Sequence, residues 1–356
     1  MTNETNGNPQ PYGRRVASSQ SPWLPAGFRL RGNRGAVYTI HRVLGSGGFG
    51  VTYEAYTPNG QRVAIKELFP SSLTVRAPDG TVAPVGDSGQ FNKMMESFHK
   101  EIGVLYKLNN AGNFVKIYDY FYANNTAYYA MEYVEGDTLK EYIKKHGTMD
   151  PVQWEQPFLQ LMQDIGYLHA NGVIHRDIAP DNIKITAGGS LKLIDFGLAR
   201  PYMMKQGMTV NLKPGFAPLE QYQSHGQGTY TDIYALAATM YYCFTGKVIP
   251  DAYERKIQDR LAVPGGLGIQ LPYQQEQALL RALAVDYRQR FQTMQEFAAA
   301  YATPAPSAPP EGPGRQEDNE LLARIRASYA ALRQAPLMPA LACGLFLIAM
   351  ILELVL

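Results

Sequence analysis

The sequence predicts an α+β fold followed by an apolar C-terminal segment. Short apolar runs flank a glycine-rich string near the N-terminal end, and they read as strands over residues 37–44, 51–56 and 62–66. Later, Phe98, Ile102 and Leu105 recur at helical spacing. The final run, residues 337–356, has about the ~20 apolar residues that a membrane-spanning helix needs.

Composition narrows the function classes. Of the 356 residues, 46% are hydrophobic and 18% are charged, which is ordinary for a globular protein with a sizeable core. The net charge of +2 comes without a basic run or a basic-aromatic pattern, so no nucleic-acid partner is expected. Cys243 and Cys343 are the two cysteines, which excludes a disulfide framework and a cysteine-based metal site and fits a reducing cytoplasm.

The two ends of the chain differ in character. Residues 1–34 are polar, rich in Asn, Gly, Pro and Ser, and lack the apolar core of a secretory signal, so we predict a disordered leader. Residues 303–317 form a Pro-rich linker, which is expected to be extended. Residues 318–335 carry apolar side chains at helical spacing and predict an amphipathic juxtamembrane helix. Its partner is the bilayer surface, a second copy in a homodimer, a membrane partner or the preceding domain.

The C-terminal run predicts a single-pass transmembrane helix over residues 337–356. Glu353 is its only charge, and Arg324, Arg326 and Arg333 precede it, which places the rest of the chain in the cytoplasm at a bacterial inner membrane. The alternative is a buried C-terminal helix. Pro336 and Pro339 favour that alternative somewhat, because they shorten the span.

Four motifs occur in a fixed order along the chain. They are GSGGFG at residues 45–50, VAIK ending at Lys66, HRDIAPDN at residues 175–182, and DFG at residues 195–197. Each alone is a weak signal, but the four together, at these spacings, resemble the eukaryotic-type (Hanks-type) serine/threonine protein kinases of bacteria. The strings GGFGVTY, IKELFP and GFAPLEQY resemble one bacterial subfamily with GGFGxTY, IKExFP and GFAPxEQY signatures.

The resemblance implies a two-lobed kinase domain over residues 35–302, with a β-rich small lobe, a helical large lobe and ATP between them. It assigns ATP contacts to the glycine loop, to the strand that carries Lys66 and to the hinge. The predicted nucleotide-binding residues are Gly45, Ser46, Gly47, Gly48, Phe49, Gly50, Ala64, Lys66, Met131, Glu132 and Val134. Lys66 would hold the α and β phosphates and pair with Glu101, with Glu96 as the weaker alternative.

The same resemblance implies the residues of the transfer step. Asp177 would be the catalytic base, and Asn182 and Asp195 would bind Mg²⁺. Arg176 would need an anion, which a phosphorylated Thr209 can supply, so Thr209 is the predicted autophosphorylation switch. Three further residues are predicted to be scaffold: Glu220 paired with Arg290, and Asp232 behind the HRD backbone.

Three positions depart from the family pattern. Serine/threonine kinases usually have a lysine two residues after the base, and this chain has Ala179. Thr52 stands where valine is usual, and Lys184 stands where a leucine normally floors the adenine pocket. These departures keep a second function open beside the phosphorylation of protein substrates. It is a membrane-anchored pseudokinase scaffold that binds nucleotide without efficient transfer.

Overall fold

The computed structural model describes residues 21–86, 88–108, 114–196, 200–201, 212–223 and 226–302. The chain divides into two units, Met1–Ala302 and Thr303–Leu356, and every described residue belongs to the first. The predicted linker, juxtamembrane helix and transmembrane helix therefore lie outside the described residues. Within the part that is described, no helix is both long enough and apolar enough to cross a bilayer.

The N-terminal lobe is β-rich, as predicted. Its main strands are β1 (Arg29–Arg31), β2 (Val37–Ser46), β3 (Gly50–Tyr56), β4 (Arg62–Leu68), β7 (Ile117–Ala123) and β8 (Thr126–Glu132). They form an antiparallel sheet in the spatial order β1-β2-β3-β4-β8-β7. A small hairpin, β5 (Thr74–Arg76) with β6 (Val82–Pro84), and helix α1 (Ser88–Leu108) lie between β4 and β7 in the chain.

Strand β4 has buried residues on both of its faces, so its side chains alternate between two environments. Lys66 pairs with Thr52 and Tyr129 on the face that lines the cleft. Glu67 points to the opposite face and is fully buried, where it accepts hydrogen bonds from Tyr53 Oη at 2.7 Å and Tyr128 Oη at 2.6 Å. Arg76 Nη2 adds an ion pair to the same carboxylate at 2.7 Å.

The disordered leader predicted over residues 1–34 extends too far along the chain. Residues 21–34 belong to the small lobe: β1 pairs with β2, and Leu24 and Leu30 are buried in the core. Trp23 contacts the Phe69 ring edge-on, and the Leu24 N–H donates to Tyr53 Oη. The segment is mostly polar, so its composition predicted disorder, but a few of its side chains are apolar and cover the outer face of the sheet. Residues 1–20 lie outside the described part of the chain.

The C-terminal lobe is mainly helical. Its helices are α2 (Leu139–His146), α3 (Pro151–Ala170), α4 (Leu219–Tyr222), α5 (Thr229–Thr245), α6 (Ala252–Ile257), α7 (Tyr273–Ala282) and α8 (Met294–Tyr301). Short strands β9 (Val173–Ile174), β10 (Ile183–Ile185), β11 (Leu191–Leu193) and β12 (Arg200–Pro201) lie between α3 and α4 in the chain. Helix α5 is apolar on almost all sides and forms the centre of the lobe, with Phe244 against Phe158 of α3.

Local sequence explains where the helices begin. Asp150 caps α3 by accepting from the Val152 N–H. Pro151 follows at the first helical position, where a backbone N–H would have no partner within the helix, so its absence costs no hydrogen bond. Thr138 and Glu141 form a reciprocal capping box at the start of α2. The start of α2 also contacts the HRDIAPDN loop, because the Lys140 N–H donates to the Pro180 carbonyl at 3.0 Å.

Candidate active site

A cleft of about 760 Å³ lies between the two lobes. The turn between β2 and β3, the hinge after β8, and the loop between β9 and β10 all contribute to its walls. Every nucleotide-binding residue predicted from the sequence lines this cleft. The sequence motifs thus selected residues that the fold brings together, although they come from distant parts of the chain.

The glycines of the β2–β3 turn have two different physical roles. Gly50 packs so tightly against the Glu67 carbonyl that a Cβ there would clash with it, so this glycine is required by the sheet itself. A Cβ on Gly45 or Gly47 would meet no atom within 4 Å. These two glycines therefore leave open space in the cleft, which is what close approach of phosphate to a backbone requires.

Lys66 bridges the two lobes. Its Nζ lies 2.5 Å from Asp195 Oδ1, and its side chain is only 7% exposed. An ammonium buried to this degree requires a counter-ion, and here the carboxylate that follows β11 provides one. Glu101 lies within α1, as predicted, but its side chain is outside the described structure, so the Lys66–Glu101 pair stays a prediction.

Asn182 and Asp177 are joined within the loop between β9 and β10. The Asn182 Nδ2 group donates to both the backbone carbonyl and Oδ2 of Asp177, each at 2.8 Å. Both of these partners accept hydrogen bonds, so the amide nitrogen must face them. Asn182 therefore directs its amide oxygen, a hard ligand, away from Asp177. Its backbone carbonyl accepts from the Ile194 N–H at 3.0 Å, which ties it beside Asp195.

Asp232 fixes the backbone of the HRD segment, as predicted. It is fully buried and accepts from the backbone N–H groups of His175 at 2.8 Å and Arg176 at 2.7 Å. His169 Nε2 lies 2.8 Å from the same carboxylate. Burial alone would raise the pKa of Asp232, but the hydrogen bond from His169, the electrostatic influence of the His169 and His175 rings and the hydrogen bond from the Arg176 N–H outweigh it and hold the pKa below its usual value.

This anchoring supports an unusual backbone conformation. Arg176 has φ +68°, which non-glycine residues rarely adopt. Its N–H is held by Asp232, and its carbonyl accepts from Gln221 Nε2 at 2.8 Å. Strain of this kind persists only where the surroundings impose it, and here it turns the next residue, Asp177, into the cleft.

Lys213, which the motifs did not reveal, contacts the predicted base. Its Nζ lies 3.0 Å from Asp177 Oδ1 and 3.0 Å from Asp181 Oδ1. Burial raises the pKa of Asp177 to about 6, with Lys213 lowering it and Asp195 raising it. Lys213 is itself partly buried, which opposes its charge, but the two carboxylates prevail and raise its pKa. The signal in the sequence was a lysine just before the GFAPLEQY string, in a chain that has Ala179.

The hinge carries a second contact that the sequence did not reveal. Lys184 Nζ donates to the backbone carbonyls of Val134 at 3.0 Å and Gly136 at 2.8 Å. The lysine therefore holds the hinge against β10, and its ammonium also lies 5.5 Å from the centre of the Tyr133 ring. Met131, one of the predicted nucleotide-binding residues, is buried and lines the cleft.

The predicted pairing of Glu220 with Arg290 is confirmed. Arg290 and Glu220 form a fully buried ion pair, with Arg290 Nη1 2.8 Å from Glu220 Oε1. Phe196 is buried between Phe114, at 6.1 Å between ring centres, and His175, at 4.9 Å. Because Phe114 precedes β7 and His175 follows β9, Phe196 joins the two lobes.

The predicted regulatory threonine, Thr209, lies outside the described residues, as does Gly197 of the DFG motif. Arg176 lies beside the predicted base in the catalytic loop, and its pairing with a phosphate depends on that threonine. Both regulatory assignments stay predictions.

Comparison with known proteins agrees with this geometry. The protein kinase domain family matches residues 38–279. A serine/threonine-protein kinase PknA of Nostoc sp. is 30% identical over 78% of this chain and 49% of its own length. The serine/threonine-protein kinase PrkC of Bacillus subtilis is 29% identical over 75% of this chain and 40% of its own length. The chain thus spans half or less of the length of these two relatives.

A solved structure shows the same fold. The apo form of PpkA-294 has a TM-score of 0.65 and 30% sequence identity, and the match covers 79% of this chain and all of the other. A β-rich N-terminal lobe, a helical C-terminal lobe and the matched residues 38–279 all point to one family. The chain belongs to the protein kinase family, among the bacterial eukaryotic-type serine/threonine kinases.

Proposed function

We propose that this chain is an ATP-dependent protein kinase that phosphorylates serine or threonine hydroxyls of protein substrates. The observation that carries the proposal is the convergence in one cleft of the Asp177–Asn182 pair and the Lys66–Asp195 pair. A base, a cation for phosphates and two oxygen ligands for a metal are the parts that phosphoryl transfer needs. The serine/threonine kinases among its relatives support the substrate class.

The cleft has the features that ATP requires. The open side of Gly45 and Gly47 faces the place where phosphates would lie, and Lys66 provides a buried positive charge beneath it. Backbone groups of Glu132 and Val134 would take the adenine edge, with Ala64 and Met131 contacting the ring. The Val134 carbonyl already accepts from Lys184, so at this residue the N–H is the group proposed for the nucleotide.

Asn182 and Asp195 fit Mg²⁺. One amide oxygen and one carboxylate, together with phosphate oxygens and water, form the hard oxygen set that this ion prefers. The orientation of the Asn182 amide is already set by its two hydrogen bonds to Asp177. Mg²⁺, when bound, neutralises phosphate charge. Because Lys66 holds the Asp195 carboxylate, the ligand is positioned before the ion arrives.

In the proposed transfer, Asp177 accepts or orients the proton of a substrate hydroxyl. The hydroxyl oxygen forms a bond to the γ-phosphorus of ATP while the bond from that phosphorus to the β–γ bridging oxygen breaks. The products are a phosphorylated serine or threonine and ADP, and the hydroxyl proton leaves through Asp177. Its pKa of about 6 keeps the carboxylate mostly ionised at neutral pH, as a base must be.

Two further proposals extend the function beyond the described residues. Thr209 is proposed as the autophosphorylation site whose phosphate pairs with Arg176, since charge-assisted bonds of this kind order activation loops. Residues 337–356 are proposed as a single-pass anchor in the bacterial inner membrane, on the strength of their apolar composition and the preceding arginines. Both proposals rest on the sequence.

The experiment is phosphorylation by the purified full-length chain with labelled ATP and Mg²⁺, followed by mass spectrometry of the labelled sites. Lys66→Ala and Asp177→Asn are the inactive comparisons, and Lys247→Ala, at an exposed lysine that does not line the cleft, is the control. Label on serine or threonine in the wild type and the control alone supports the proposal. Absence of label, with nucleotide still raising the melting temperature, would instead favour the pseudokinase scaffold.

A further inference from the structure

The catalytic loop lacks a positive charge that serine/threonine kinases usually carry. Two residues after the base, the usual lysine is replaced by Ala179, whose side chain is buried and uncharged. Such a lysine steadies the base and the moving phosphoryl group, so its loss would be expected to slow transfer. The structure contains a second lysine in a position to meet this need.

Lys213 reaches the base from a different segment of the chain. It precedes α4, outside the loop between β9 and β10, yet its Nζ lies 3.0 Å from Asp177 Oδ1. The same ammonium lies 3.0 Å from Asp181 Oδ1, so it is held between two carboxylates of the catalytic loop. The Lys213 side chain is 30% exposed, and that of Asp177 is 19% exposed. The Coulomb attraction in a partly desolvated pair of this kind is less screened by water than it is in an exposed surface pair.

The groups around the base show why a cation is needed. Asp177 and Asp181 come from the catalytic loop, and Asp195 follows β11. Three carboxylates therefore converge on the space that would also receive phosphate. Lys66 already pairs with Asp195, and Lys213 pairs with the other two.

Both oxygens of the base are held by separate donors. Lys213 Nζ contacts Oδ1, and Asn182 Nδ2 donates to Oδ2 at 2.8 Å. With one donor on each oxygen, the carboxylate plane of Asp177 has one preferred orientation. Removal of the Lys213 ammonium would take the ion pair from Oδ1, while the Asn182 amide would still hold Oδ2.

We propose that Lys213 replaces the missing catalytic-loop lysine: it is a positioning residue that orients Asp177 and offsets negative charge during phosphoryl transfer. The inference rests on the proposed kinase function and deepens it. In that step the substrate hydroxyl gives its proton to Asp177, its oxygen bonds to the γ-phosphorus, and the bond to the ADP oxygen breaks. Lys213 acts through Asp177 and is neither consumed nor deprotonated.

The opposite interpretation of the same contact is an inhibitory clamp, in which Lys213 occupies the base and keeps it from substrate. The two interpretations predict opposite signs. A positioning lysine makes the enzyme faster, so its removal lowers kcat, whereas removal of a clamp raises kcat. A kinetic comparison therefore separates them.

The test uses the purified full-length chain and measures kcat and the KM for ATP with dephosphorylated casein, at saturating concentration, as the phosphate acceptor. Lys213→Met keeps the length of the side chain and removes its charge, while Lys213→Arg keeps the charge. The double variant Ala179→Lys with Lys213→Met moves the cation to the catalytic loop. Lys247→Met makes the same chemical change at an exposed lysine that does not line the cleft. Melting temperature and nucleotide-induced stabilisation are recorded for each variant to show that it folds.

We expect Lys213→Met to lower kcat by about tenfold to hundredfold, with the KM for ATP nearly unchanged, because the nucleotide contacts lie elsewhere. Lys213→Arg or the double variant should retain clearly more activity than Lys213→Met. Wild-type or higher kcat in a folded Lys213→Met would overturn the inference and leave the kinase function intact. So would equal loss in all three Lys213 variants. If the wild type itself transfers no phosphate, the proposed function fails and this inference fails with it.

Discussion

Replacement of Asp232 by asparagine should damage both stability and catalysis. The native carboxylate accepts from His169 Nε2 and the His175 N–H through one oxygen, and from the Arg176 N–H through the other. Asparagine retains one oxygen and presents an NH₂ group in place of the second. The most favourable amide orientation keeps the first two bonds and turns its NH₂ toward the Arg176 N–H, so that two donors face each other.

The magnitude follows from this geometry. One hydrogen bond to a charged acceptor is lost and a buried N–H is left without its partner, which together cost about 2–4 kcal/mol. The two remaining bonds lose their charged acceptor, which adds about 1 kcal/mol. A total of about 3–5 kcal/mol should lower the melting temperature by roughly 6–20 °C for a domain of this size. The strained Arg176 backbone would then relax and displace Asp177.

The assay is thermal unfolding combined with steady-state kinetics at a temperature where the variant is folded. We expect kcat to fall while the KM for ATP changes little, since Asp232 contacts the catalytic loop rather than the glycine turn or the hinge. Asp150→Asn is the matched control, because asparagine caps a helix about as well as aspartate does. Wild-type kcat and melting temperature in Asp232→Asn would refute the reasoning.

Three other predictions concern the rest of the kinase domain. Arg290→Met should destabilise the large lobe by about 3–5 kcal/mol in urea unfolding, because Glu220 would stay buried without its cation; unchanged stability would contradict this. The kcat/KM should fall as pH is lowered through about 6, where the proposed base, Asp177, takes up a proton, and a profile that is flat down to about pH 5 would contradict the assignment. Lys184→Leu should lower the melting temperature by a few degrees through loss of its two hinge hydrogen bonds, without raising the KM for ATP; a raised KM would mean that the lysine contributes to nucleotide binding.

The order of the motifs predicted the fold and many residues of the site, because each motif residue has a defined role at a defined position in the fold. Glu220, Arg290 and Asp232 could be assigned from their strings alone, and the structure confirms their partners. Lys213 and Lys184 could not be assigned. Each is a long side chain whose ammonium lies several ångströms from its own backbone, so the identity of its partner depends on the packing of distant segments.

The error at the N-terminal end has a different cause. Composition over residues 1–34 is dominated by polar and turn-forming residues, which hides the few side chains that matter for burial. Leu24 and Leu30 are buried because they pack against the outer face of the sheet. This is a tertiary contact, so the local sequence around either leucine does not reveal it. A polar segment with single apolar residues is therefore weak evidence for disorder when a sheet edge lies next to it in the chain.

The alternation of Lys66 and Glu67 along β4 has a consequence for how faithfully this domain folds. A slip of β4 by one residue would exchange the two side chains, so that an ammonium would face Arg76 and a carboxylate would face Asp195. Both exchanges place like charges together in a buried setting, where repulsion is strong. The contacts of Glu67 with Tyr53, Tyr128 and Arg76 thus favour the native register of β4 over a register shifted by one residue. A chain with β4 in the correct register therefore already has Lys66 on the face of the sheet that lines the cleft.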